Sequence, residues 1–116
     1  MSTLSTILAV ILGVAFVAVG IPKLMGEEKM AANFKRWGYA DTIRNAVGSV
    51  EVLAGVMILV GIAVQSLAVA GSLILIFVLI GALATHSHHR DAAALWVPPM
   101  VLLALDLAFA YSLLPE

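Results

Sequence analysis

No aspartate, glutamate, lysine or arginine occurs between Met1 and Pro22, and none between Val52 and Thr85. Uncharged stretches of this length leave few folds open. In water they would have to be buried whole, and a chain of 116 residues has too little interior to hide them. Composition points the same way: 63% of residues are hydrophobic and 11% charged, against about 45–50% and about 25% in soluble domains. The chain therefore reads as an all-α, polytopic membrane protein, a single domain over 1–116 whose first partner is the lipid bilayer.

A span needs about 20 apolar residues to cross roughly 30 Å of hydrocarbon. Four segments qualify: 4–21, 46–64, 67–85 and 93–114. The first, bounded by Pro22 and Lys23, has no basic residues before it, so it reads as a retained helix and not a signal peptide. Between the second and third only Gln65 and Ser66 intervene. Helices joined so tightly must be antiparallel neighbours, and an antiparallel four-helix bundle follows.

All six basic residues share a side of this bundle. Lys23, Lys29, Lys35, Arg36 and Arg44 lie between the first two spans, and Arg90 between the last two. The positive-inside rule then predicts cytoplasmic loops and both termini outside, in an inner (plasma) membrane. Within the loop segment 22–45, Met30, Phe34 and Trp37 recur at helical spacing among charged residues. A short amphipathic helix in the interface is expected, with Trp37 and Tyr39 at headgroup level. It serves either as a membrane-hugging connector or as a lid over the bundle mouth.

Lipid supplies no hydrophobic force between helices, so small residues must allow close approach. Gly13 and Gly20 in the first span, and Gly48 and Gly55 in the second, return to one face at seven-residue spacing. Glu51 lies on that same glycine face, so its carboxylate points into the bundle. An ionised carboxylate there costs several kcal/mol unless it is paired or protonated. Lys23 and His86, at the same ends of their helices, are its candidate partners. Lys23, Glu51 and His86, roofed by Trp37 and Tyr39, form the candidate site. It is equally consistent with an ion pair that fixes helix register and with a polar site for a ligand head group or a proton.

Asp106 is a second intramembrane acid, deeper and toward the other face, with Gln65 and Ser66 as candidate hydrogen-bond partners. Pro98 and Pro99 predict a displaced start or a kink in the last span. His86, His88 and His89 cluster, but with no further carboxylate or thiol at a committed spacing no metal site is assigned. Without cysteine there is no thiol redox chemistry. A net charge of −1 gives no footprint for nucleic acid.

In order along the chain, Gly20-Ile-Pro-Lys23-Leu, Trp37-Gly38-Tyr39, Gly48-Ser-Val-Glu51-Val-Leu-Ala-Gly55 and Gly81-Ala-Leu-Ala-Thr-His86 resemble the DoxX-like family of small four-helix bacterial membrane proteins. The resemblance implies a four-helix bundle with Lys23, Glu51 and His86 as its recurrent polar positions. It also implies a choice of roles: an accessory or chaperone-like protein for a membrane protein partner, or the membrane subunit of a quinone-linked oxidoreductase. The residues themselves favour a binding or accessory protein, holding a quinone, a lipid or a partner's helix. No cofactor beyond such a quinone is indicated, and the isolated chain leans away from being an enzyme. A proton-coupled transporter using Glu51 and Asp106 is a further reading, for which four spans would call for a homodimer.

Overall fold

The computed structural model describes residues 1–115; Glu116 lies outside the described residues. Five helices follow in order: α1 (Thr3–Met25), α2 (Glu28–Arg36), α3 (Asp41–Val60), α4 (Gln65–His88) and α5 (Ala93–Ser112). All but α2 are long and apolar enough to cross a membrane. The four long helices pack in a ring, α1 on α3, α3 on α4, α4 on α5, and α5 back on α1. Phe16, Leu12, Ile58, Leu75 and Phe109 fill its centre and are fully buried. Outward-facing residues such as Leu4, Leu53 and Phe77 form the surface that lipid covers.

The most extensive contact, α1 on α3, is built by the glycines. A Cβ on Gly48 would lie 2.9 Å from the Gly20 carbonyl oxygen, and one on Gly55 would lie 2.9 Å from that of Gly13. Both distances are below ordinary van der Waals contact, so the backbones can meet only where side chains are missing. The two glycine pairs keep constant register along antiparallel helices.

Helix ends explain the loop side. At α1, Gly26 N–H donates to the Lys23 carbonyl and Glu27 N–H to that of Pro22. At α2, Gly38 N–H donates to Lys35 and Tyr39 N–H to Phe34. At α4, Arg90 N–H donates to Ser87 and Asp91 N–H to His86. Each is a Schellman motif, which satisfies carbonyls that helix ends leave open. The left-handed residue each motif requires is Gly26 (φ 68°), Gly38 (φ 82°) and Arg90 (φ 51°). Arg44 adds to the first of these, its Nε donating to the Lys23 carbonyl at 2.9 Å, a cation at a helix C-terminus.

Several boundaries differ from those expected. α1 does not stop at Pro22 but continues to Met25. Pro22 lacks only one N–H bond, a turn from the helix end, where its own carbonyl is capped by Glu27. α3 begins at Asp41, so Arg44 is helical. The hairpin turn is not Gln65–Ser66 but residues 61–64, and Gln65 and Ser66 open α4. The reversal happens where Gly61 lets α4 close in; a Cβ there would collide with the backbone of Ala68.

α3 and α4 touch closely near that turn and part toward the loop side. A Cβ on Gly71 would sit 2.9 Å from the Ala54 carbonyl oxygen, whereas nothing lies within 4 Å of one on Gly81. The gap opens into the cavity described next.

Candidate functional site

The loop-side half of the bundle encloses a cavity of about 550 Å³. All four spans contribute to its wall, and α2 covers it with Met30, Asn33, Phe34 and Trp37. The predicted amphipathic helix is thus present, and its apolar face is turned to the cavity. Phe34 is buried, and its ring meets Trp37 edge-on at 5.2 Å. Tyr39 lies 6.1 Å from Phe34, the side-chain contact that accompanies the Schellman end of α2.

Lys23, Glu51, His86, Trp37 and Tyr39 all line this one cavity. Lys23 Nζ stands 2.8 Å from Glu51 Oε1, with side chains only 14% and 6% exposed. The glycine seam makes this contact: a Cβ on Gly48 would lie 2.9 Å from the Lys23 Cβ. Glycine at 48 therefore lets the lysine stem cross α3 toward the carboxylate one turn further on. Lys23 Nζ also donates to the Val19 carbonyl at 3.3 Å. Among the described residues, Lys23 is the only polar partner of Glu51.

His86 faces the same cavity but does not pair with Glu51. Its Nδ1 lies 2.6 Å from Asp91 Oδ2, which leaves Nε2 as the ring nitrogen open to the cavity. Asp91 is the residue that sequence reasoning missed. Its side chain is 1% exposed and takes three partners at once. Besides His86, Arg36 Nη1 reaches Oδ1 at 2.5 Å and the Trp37 indole donates to Oδ2 at 3.0 Å. The Trp96 indole donates to the Asp91 carbonyl at 3.0 Å. Arg36, and after it His86 and Trp37, hold the Asp91 carboxyl well below the usual carboxylate range. One side chain thus fastens the end of α2 to the junction of α4 and α5. The Schellman turn places it there, since it brings Asp91 back over His86. A readable signal existed: Asp91 is the sole acid between the last two spans.

At the edge of the cavity, Tyr39 Oη and Thr85 Oγ1 are hydrogen-bonded at 3.0 Å. On the α5 side, Pro98 and Pro99 lie inside the helix and line the wall. Two amide donors are missing there, opposite the carbonyls of Ala94 and Leu95, which also line the cavity.

Asp106 is elsewhere. It is fully buried in the opposite half of the bundle. Ser72 Oγ donates to its Oδ1 at 2.6 Å, and its Oδ2 has no partner. Gln65 is not its neighbour; that side chain donates to the Leu113 carbonyl at 3.4 Å. Nearby, Ser5 Oγ donates to Ser112 Oγ at 2.8 Å and ties α1 to α5. Among the described residues, no three His, Asp or Glu side chains gather as a metal site would require. The His88 and His89 rings meet edge-on at 5.0 Å.

The wall is therefore apolar along most of its length, with a paired acid and base and an imidazole nitrogen at its loop-side end. Such a surface can hold an amphiphilic molecule and form hydrogen bonds with its head. The sequence model that describes the DoxX-like family matches residues 7–109, a stretch that includes all of α2, α3 and α4. No curated protein and no solved structure matches the chain.

Proposed function

The chain belongs to the DoxX-like family, and on that premise we propose that it is an accessory or binding protein of the membrane. Its cavity holds a hydrophobic ligand, a quinone or a neutral lipid, with the head between Glu51 and His86. The cavity itself carries this reading. At about 550 Å³ it falls in the range of small-molecule sites, about 300–1,000 Å³, which are mostly apolar with a few placed polar groups. The lysine, arginine and carboxylate charges around it cancel, Lys23 against Glu51 and Arg36 against Asp91. A net-neutral wall favours an uncharged head over a phosphate or carboxylate.

A second reading makes the chain the membrane subunit of a quinone-linked oxidoreductase. The free Nε2 of His86, in the same cavity as Glu51, supports it, because these groups could bond a quinone oxygen and carry its proton. The electrons would come from a partner subunit. In either case the six Lys and Arg residues, all on the loop side, support an orientation with both long loops in the cytoplasm of a bacterium. Reporter fusions at the C-terminal end should be active only as external markers.

The ligand is tested by purifying wild type, Glu51→Gln and the double variant Lys23→Met/Glu51→Gln in mild detergent. Native mass spectrometry should find a stoichiometric quinone or neutral lipid on wild type. The folded double variant should lack it. An empty wild type, or a ligand retained equally by all three proteins, removes the proposal.

A further inference from the structure

We infer that the ligand reaches the cavity sideways from the bilayer, through the gap between the loop-side halves of α3 and α4. This rests on the ligand reading above and adds the route and the kind of molecule that can use it. Three observations locate the opening. Ile43 and Phe77 line the cavity yet are 45% and 74% exposed, so one surface belongs to both the cavity and the outside. Ile43 and Val47 share a face of α3 with Ala54, which packs on α4, and Phe77 and Gly81 border the cavity from α4. Gly81 sits in open space, whereas Gly71, earlier in the same helix, is pressed against α3.

The gap lies at hydrocarbon depth. From Phe77 to His86 the helix rises about 13 Å, nearly half of the roughly 30 Å apolar layer. None of the four lip residues is charged. The loop side, by contrast, is closed by α2, which Asp91 fastens through Arg36 and Trp37. The Tyr39–Thr85 hydrogen bond spans the loop-side end of the gap. The route thus admits a molecule already dissolved in the membrane, one with an apolar chain and an uncharged head. It rejects water-borne solutes and charged heads, which would have to shed water among Ile43, Val47 and Phe77.

The test uses two probes with one head: a decyl-tailed benzoquinone, which partitions into lipid, and its tail-free, water-soluble parent. Full-length protein in phosphatidylcholine nanodiscs is mixed with each, and tryptophan quenching is followed in time. Gly81→Leu has room for its side chain and obstructs the gap. It should slow both association and dissociation of the tailed probe by about tenfold. Tyr39→Phe, which loses the bond across the gap, should speed both. Unchanged rates in both variants overturn the lateral route and place access on the loop side. Faster dissociation with unchanged association in Gly81→Leu also overturns it, because residue 81 would then be a wall of the site and not its door. If neither probe quenches wild type, the ligand reading itself fails, and the route fails with it.

Discussion

The Lys23–Glu51 pair sets up a measurement in which the two partners must behave as a unit. Removing either side of a buried ion pair leaves the other charge uncompensated, at about 3–5 kcal/mol. The structure ranks the two sides. Without Glu51, Lys23 keeps the Val19 carbonyl and is the more exposed of the pair, so Glu51→Gln should cost about 3 kcal/mol. Without Lys23, Glu51 has no polar partner among the described residues and is 6% exposed, so Lys23→Met should lie nearer about 5 kcal/mol. The double variant leaves no charge stranded and should cost about 1–2 kcal/mol, chiefly for an amide in an apolar wall. Unfolding in mixed micelles of increasing dodecyl sulfate, followed by tryptophan fluorescence, gives the three values by linear extrapolation. The coupling between the sites should then be about 3 kcal/mol or more. Losses that add within about 0.5 kcal/mol would refute the reasoning, and would mean that the side chains are separately solvated through the cavity.

Gly48→Leu should destabilise the bundle by about 1–3 kcal/mol or more through overpacking, while Gly81→Ala should stabilise it by up to about 1 kcal/mol; the same micelle titration compares them. Arg90→Gly, at a left-handed position (φ 51°), should raise stability by about 1 kcal/mol, read as a higher melting temperature. Asp91 is held below its ordinary range, so its contribution is complete above about pH 4 and fades as pH falls through the lowered value. Amide exchange in α2 should accordingly be steady from pH 7 to about 5 after correction for intrinsic rates, and Asp91→Asn should accelerate it at every pH.

The four spans and the inward turn of Glu51 were legible because the bilayer makes them so. Charge must be absent for about 20 residues, and an acid on a glycine face cannot point at lipid. His86 was also legible as a cavity residue, but its partner was not. Asp91 reaches it only because Arg90 takes a left-handed conformation that sequence normally signals with glycine. The hairpin turn was misplaced for a related reason. Gln65 and Ser66 are the polar residues in that stretch, yet helix starts accept such residues as readily as turns do, and the close approach of Ala68 to Gly61 leaves no compositional mark. Ser72 and Asp106 come from separate helices and meet only at a shared depth, a relation that spacing along the chain does not encode.

The ring of helices also has a bearing on how the protein is made. Its neighbours in space are neighbours in the order of synthesis: α3 docks on α1, α4 on α3 and α5 on α4. A ribosome adding about 5–20 residues per second therefore delivers each span to a partner already in place. The widest seam, zipped by Gly13, Gly20, Gly48 and Gly55, joins the first two spans to be made. Only the last step, α5 meeting α1 through Ser112 and Ser5, joins the two ends of the chain. Assembly can thus proceed in the direction of translation, with ring closure as its one event between distant parts of the chain.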